Sequence, residues 1–235
     1  RRAELASGQQ WVDLIRERAR VLDEHLDSPD TAAECLMQLY AYQADDEALT
    51  GDLIGLLRRA ERFDDAAQIL RERIEVAEES AAPPGEIAAL LVRLSNLLSQ
   101  DLGNPEGARN ALERALEAVP EYPSALAELA RMHKHDEDWE AYAEARKREA
   151  EAAEEEATAE EALLEAAEVY LDKLDDHDSA RGCLDRVLSQ DPKHLGALQG
   201  MADLAVADAD FDRALKLYER QLRLVHEPEP RAELL

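Results

Sequence analysis

Apolar residues recur along this chain at intervals of three and four, the spacing that gathers them on one face of an α-helix. In ALAELARMHK, Leu126, Leu129, Ala130 and Met132 fall on one stripe. In ALLEAAEVYLDKL the stripe is Leu163, Ala166, Ala167, Tyr170 and Leu174. No stretch sustains the period-two alternation of a half-buried strand, so the pattern predicts an all-α chain. Its helices are short and come in pairs. Four candidate second helices read FDDAAQILRERI from Phe63, PEGARNALERAL from Pro105, HDSARGCLDRVL from His177 and FDRALKLYERQL from Phe211. Each carries an early alanine (Ala66, Ala108, Ala180, Ala214), then a large apolar residue four later (Leu70, Leu112, Leu184, Tyr218) and another four beyond that (Ile74, Leu116, Leu188, Leu222). DWEAYAEARKREA is a looser copy with Tyr142 in the alanine's place.

The spacing of that small-residue slot is regular. The steps from Ala108 to Tyr142 and from Ala180 to Ala214 are equal, and the steps from Ala66 to Ala108 and from Tyr142 to Ala180 are longer. The shorter step matches a known solenoid period, a two-helix unit of ~34 residues. The alternation of short and long steps suggests a module of two repeats, as from Ala66 to Tyr142 or from Ala108 to Ala180. A helical hairpin cannot bury its apolar stripe alone, whereas stacked hairpins share one core.

These features resemble the tetratricopeptide repeat family. The residues that carry the resemblance are the A-x3-[L/Y] pattern, the aromatic residues Phe63, Trp139 and Phe211 that open second helices, and Pro120 and Pro192 at repeat ends. The first helices lack the family's Trp and Gly. The resemblance implies an all-α solenoid of stacked antiparallel helix pairs, a superhelix of about 12 helices with ~34 residues per repeat. Residues 46–226 are expected to form one continuous solenoid, and residues 1–45 irregular or truncated repeats. Residues 227–235, with PRAELL from Pro230, resemble the opening of a further repeat.

Near the N-terminus, QQWVDLIRERARVLDEHL reads as a second helix opened by Trp11, with RRAELASG as the tail of a truncated first helix. Thr31 and Glu34 have capping-box spacing for the helix after it. A partner helix is then lacking before ALTGDLIGLLRRA, which predicts an irregular hairpin. The start at RRAEL, without Met, points to a piece of a longer array.

Charge narrows the partners. With 54 acidic and 27 basic residues, the net charge is −27. Such a field repels phosphates, which argues against nucleic acid and anionic membrane as partners. No apolar run approaches the ~18 residues of a membrane span, and no signal peptide is evident. The cations are 22 Arg and 5 Lys, a skew attributed to genome composition. Cys35 and Cys183 lie in Ala/Leu-rich segments and read as buried free thiols, which favours a reducing cytoplasm, while the apparent lack of the parent N-terminus leaves the compartment open. A disulfide between them is the unsupported alternative.

Candidate chemistry is sparse. His133 and His135 in MHKHDEDW point ~200° apart on a helix, and a solvated helix end explains them better than a metal. DADFDRALKLYE imitates a calcium loop, but Arg213 stands where that loop needs glycine, and Asp210 falls where a repeat turns and caps its second helix. No Gly-rich phosphate loop, G-x-S-x-G or HExxH is present. The reading is a non-catalytic chain with no cofactor and no metal.

In the family that this chain resembles, first helices line a concave face where peptides or partner segments bind. Helical spacing maps Gly51, Gly55 and Arg58 to that face, then Val92, Asn96 and Ser99, then Ala127, Arg131 and Lys134. Arg58, Asn96, Arg131 and Lys134 are the candidate partner-binding residues, a basic strip suited to a carboxylate or acidic side chain. The competing reading is solvated charges neutralising nearby acids. Glu168, Gln199 and Asp203 do not continue the strip. The functional reading is a protein–protein interaction scaffold that binds a peptide or partner segment in the groove. A structural spacer and a regulatory arm of a larger protein are the alternatives. The acidic surface predicts a monomer at low ionic strength.

The stretch EAEAAEEEATAEE, residues 149–161, resembles an acidic linker but in register becomes a repeat junction. Its glutamates are expected in solvent, with a turn at Glu154–Glu156. Thr158 and Glu161 have capping-box spacing for the next helix. The longer step from Tyr142 to Ala180 is expected to arise from extra residues in this connection.

Overall fold

A computed structural model describes residues 2–44 and 46–226, with side chains from 8 to 225. Among these residues there are twelve helices and no strand. They are α1 (Arg2–Glu24), α2 (Pro29–Tyr40), α3 (Glu47–Arg59), α4 (Phe63–Glu79), α5 (Pro84–Gln100) and α6 (Pro105–Ala118), then α7 (Pro123–His135), α8 (Trp139–Ala152), α9 (Glu156–Asp172), α10 (His177–Gln190), α11 (Leu195–Ala207) and α12 (Phe211–His226). They form six antiparallel hairpins. The chain divides into two compact units, Arg1–Val119 with α1–α6 and Pro120–Leu235 with α7–α12.

In each unit, consecutive helices pack side by side: α2 on α3 and α4 on α5 in the first, α8 on α9 and α10 on α11 in the second. The first core is leucine-rich, including Leu39, Leu53, Leu57, Leu70, Leu91 and Leu112. The second is alanine-rich, with Ala143, Ala162, Ala166, Ala180 and Ala197 around Leu163, Leu184 and Val187. Cys35 and Cys183 are free and buried, and burial raises the Cys183 thiol pKa.

The fourth residue of every second helix is enclosed: Ala32, Ala66, Ala108, Tyr142, Ala180 and Ala214. A methyl there lets neighbouring helices approach closely. Asn104, Asp138, Asp176 and Asp210 each accept a hydrogen bond from the backbone N–H three residues on, capping α6, α8, α10 and α12.

The hairpin turns alternate. Those into α2, α6 and α10 have four linking residues, closed by Ser28 N–H to Leu22 O, Asn104 N–H to Leu98 O and Asp176 N–H to Tyr170 O. Those into α4, α8 and α12 have three, closed by Arg62 N–H to Leu57 O, Asp138 N–H to His133 O and Asp210 N–H to Ala205 O. The two-repeat period is therefore physical: two turn geometries take turns along the chain. In all six, the residue two before the second helix is left-handed: Asp27, Glu61, Gly103, Glu137, Asp175 and Ala209. Only Gly103 is glycine.

Several expectations need correction. RRAELASG is no separate helix: its described residues run on into α1, because Gly8 weakens a helix without ending it. Trp11 lies mid-helix, stacked edge-on against Tyr42 at 5.6 Å. No partner helix is missing, since α1 pairs with α2. Thr31 does not cap α2, which starts at Pro29, a residue preset for the first helical position. Thr158 does not cap α9, which starts at Glu156, so Thr158 is already helical. The chain does break at 153–155, but that connection is three residues long, shorter than the four at 191–194. The extra four residues belong to α9, with 17 residues against 13 in α11. Residues 227–235, with the expected further repeat, lie outside the described residues.

The left-handed turns generate a prediction. A Cβ in that region costs roughly 1 kcal/mol. Ala209→Gly should stabilise the protein by about that much, and Gly103→Ala should destabilise it similarly. Thermal or denaturant midpoints of the two variants check both signs.

Candidate partner site on α7, α8 and α9

The candidate strip residues do not converge on one place. Arg58, in the last turn of α3, lies with Nε 2.7 Å from Asp101, whose carboxylate is mostly buried after α5. Asn96 is half-buried on α5, and Val92 beside it is buried. Both belong to the first unit. Arg131 and Lys134 sit on α7 in the second unit and line one cavity of about 260 Å³ with Tyr142, Arg146 and Glu149 of α8 and Thr158, Glu161 and Glu165 of α9.

The α8 residues come from a break in the repeat. Tyr142 takes the alanine slot, and Arg146, four later, takes the slot of Leu36, Leu70, Leu112, Leu184 and Tyr218. The Arg146 side chain is only 13% exposed. Glu149, 6% exposed, completes the group. The expectation that the glutamates of 149–161 face solvent therefore fails at Glu149, which the helical period turns inward and Arg146 holds there.

The polar groups pair with one another. Arg146 Nη1 donates to Glu149 Oε2 at 2.6 Å, and its Nε lies 3.2 Å from Glu165 Oε2. The Tyr142 hydroxyl donates to Glu165. Lys134 Nζ sits 5.4 Å from the centre of the Tyr142 ring, within cation–π reach. Arg131 Nε donates to Glu128 at 2.8 Å and keeps half its surface exposed. Burial raises the Tyr142 pKa, aided by Glu165, and also raises that of Glu149, with Arg146 opposing. The cavity thus has a wall of charge that is buried at Arg146 and Glu149 on α8 and partly exposed at Glu165 on α9, and two accessible cations on α7.

Arg146 and Glu149 escaped the sequence reading because each sits in an ordinary helical, charge-rich segment. The signal was the substitution pattern: Tyr142-x3-Arg146 where the other second helices read Ala-x3-Leu or Ala-x3-Tyr. A local departure from otherwise consistent patterning often marks a functional site. His133 and His135 do not converge: His133 Nδ1 lies 3.7 Å from Asp138, and His135 is exposed. Among the described residues, no group of three His, Cys, Asp or Glu side chains is placed to hold a metal ion. No helix among them is long and apolar enough to cross a membrane.

Residues 197–232, beginning in α11 and running beyond α12, match the family model described as tetratricopeptide repeat. Its fold is of the tetratricopeptide-repeat type. Among solved structures, it is similar to the C-terminal part of a TPR repeat-containing protein from Cytophaga hutchinsonii, with 13% identity, 89% of this chain and 78% of that chain covered, and a TM-score of 0.58. It is also similar to BtubC (BKLC) from P. vanneervenii, at 20% identity, 91% and 97% coverage and a TM-score of 0.52. A tetratricopeptide repeat protein from Parabacteroides merdae matches at 17% identity, 94% and 81% coverage and a TM-score of 0.50. At these identities the shared property is the fold. No curated protein matches the chain.

Glu149 gives this site a pH dependence. Because its folded pKa is raised, its contribution to stability is fully present below the ordinary carboxylate range and is lost as pH rises through the folded value. Glu149→Gln should remove that contribution. The stability difference between variant and parent, followed by thermal midpoint from acidic to neutral pH, should shift in favour of the variant as pH rises.

Proposed function

We propose that this tetratricopeptide-repeat chain is a non-catalytic protein-interaction scaffold, and that the α7–α8–α9 cavity binds a peptide or partner segment through an acidic side chain or terminal carboxylate. The observation that carries this reading is the polar replacement of the repeat's core code in α8, beside Arg131 and Lys134. Buried ion pairs are weak contributors to stability, so the fold alone gives little reason for an Arg–Glu pair in a leucine slot. Held by Arg146, Glu149 and Glu165, the wall is rigid before a partner arrives, which lowers the cost of ordering it on binding. The accessible cations Arg131 and Lys134 are an i, i+3 pair on one face of α7. They recognise the carboxylate while Ala127 and Ala130 leave room for the ligand's chain. Arg58 and Asn96 lie on first helices of the other unit and are, on this proposal, a separate peptide-contact surface there. Partners are proteins, since a net charge of −27 opposes polyanions.

A peptide array probed with the purified chain tests the reading. Acidic peptides and their amidated counterparts are compared, with the parent and with Arg131→Glu plus Lys134→Glu. The proposal expects the acidic peptides to be retained by the parent and lost, at least tenfold, by the charge-reversed variant. Equal retention by both counts against the site.

A structural-spacer reading has one observation in its favour: arginine pairs tie successive hairpins together, as in Arg62 with Asp30 at 3.0 Å, Arg114 with Glu78 at 2.7 Å and Arg181 with Asp208 at 2.7 Å. If no peptide distinguishes the two variants, that reading takes precedence.

A further inference from the structure

The cavity on α7, α8 and α9 presents both signs of charge to one space. Arg131 and Lys134 line it from α7, and Glu161 and Glu165 line it from α9. Each pair consists of like charges on one face of its helix, at the i, i+3 spacing on α7 and the i, i+4 spacing on α9. Like charges so placed repel and weaken a helix slightly. Glu161 is exposed and the Glu165 side chain is 38% exposed, so both meet solvent. Both lie past the first turn of α9, where the helix dipole no longer favours an anion. Both also push up the pKa of buried Glu149, so three carboxylates repel one another along this side of the cavity.

The repeat requires neither pair. The turn bonds to Leu57 and His133 place α3 in register with α7, and those to Leu98 and Tyr170 place α5 in register with α9. Arg131 and Lys134 then match Gly55 and Arg58, and Glu161 and Glu165 match Ala89 and Arg93. One module earlier, these places therefore hold arginines and no acid. The acidic pair stands opposite the cationic pair, beside the α8 slots where Tyr142 and Arg146 replace alanine and leucine.

We propose that the ligand of this cavity carries a cation beside its carboxylate: a peptide segment whose Asp or Glu seats on Arg131 and Lys134 while a nearby Lys or Arg reaches between Glu161 and Glu165. This rests on the α7–α9 cavity being the partner site, and it adds a second charge that the partner must have. Charge complementarity carries it. A ligand with a carboxylate alone satisfies the α7 wall but brings a further anion toward Glu149, Glu161 and Glu165. A ligand cation separates those carboxylates and donates charge-assisted hydrogen bonds to them. Paired charges also leave the segment near neutral, so the net charge of −27 does not repel its approach. At about 260 Å³ the cavity is smaller than the ~300–1,000 Å³ of small-molecule pockets, which suits side chains of a segment rather than a whole free ligand. Glu161 is the specificity-determining residue, because Glu165 is already engaged by Tyr142 and Arg146.

The test is fluorescence anisotropy with the purified chain and labelled peptides that hold one Asp and one Lys, the Lys moved through each position on either side of the Asp. Each peptide has a counterpart with acetyl-lysine, which removes the charge. The parent is expected to bind at least one Asp–Lys spacing about tenfold tighter than its acetylated counterpart, the scale of one charge-assisted hydrogen bond. Glu161 is exposed, so its substitution leaves the fold intact. Glu161→Gln should remove most of that difference, and Glu161→Lys should reverse it in favour of the same peptides with Glu in place of Lys. Parent binding that acetylation changes at no spacing overturns the inference; if Arg131→Glu plus Lys134→Glu still abolishes that binding, the partner site itself stands. A Lys preference that survives Glu161→Lys overturns the inference as well, because the cation then sits elsewhere. A parent that binds none of these peptides overturns both readings.

Discussion

An alanine enclosed at the fourth position of the second helix sets how closely this chain's helices can meet. Five of the six second helices have it, at Ala32, Ala66, Ala108, Ala180 and Ala214. With only a methyl in the contact, the neighbouring helix comes near enough for the leucine or tyrosine four residues later to reach the shared core. A hairpin of two short helices has too little interior to stand alone, so every hairpin depends on a neighbour for burial. The alternating turns keep each second helix in the register that presents this slot.

The sixth second helix breaks the rule, and the break defines the candidate site. In α8 a tyrosine fills the alanine slot, and an arginine replaces the leucine. The cavity against α7 and α9 then acquires a wall in which Arg146 donates to Glu149, the Tyr142 hydroxyl donates to Glu165, and Arg146 Nε is buried beside Glu165 without a hydrogen bond. A lone buried charge here would cost several kcal/mol. The paired arrangement offsets only part of that cost, since burial still raises the Glu149 pKa, and it leaves Arg131 and Lys134 on α7 facing the cavity from the accessible side. Arg131 is itself tied to Glu128 on its own helix, as Arg58 is to Asp101.

Much of the fold was legible because its determinants are local. Phe63, Pro105, Trp139, His177 and Phe211 open second helices where the alanine spacing placed them. The first hairpin was missed although its signal is present: Ala32, Leu36 and Tyr40 continue the ladder one repeat before Ala66, Leu70 and Ile74. Trp11 drew attention away from it, an aromatic in the middle of α1 rather than at a helix start. Capping-box spacing at Thr31 and Thr158 misled because acidic residues are frequent enough here to match it by chance, while Pro29 and Glu156 begin the helices earlier. The origin of the longer step from Tyr142 to Ala180 was also hidden, since one added helical turn in α9 and a longer loop look alike in spacing. The site was half legible. Arg131 and Lys134 follow from helical periodicity, but the inward turn of Arg146 and Glu149 depends on α9 packing over α8.

The central claim is that α8 departs from the repeat's core code for binding rather than for stability. Restoring the code tests this most directly, through Tyr142→Ala, Arg146→Leu and Glu149→Ala in one chain. Thermal midpoint and retention of acidic peptides are then measured together. Replacing a buried ion pair with apolar residues is often neutral or stabilising by about 1–4 kcal/mol. The account predicts a midpoint unchanged or raised by a few degrees, with acidic-peptide retention lost. A lowered midpoint with retention intact would contradict it, by showing that the polar wall serves the fold and not a partner.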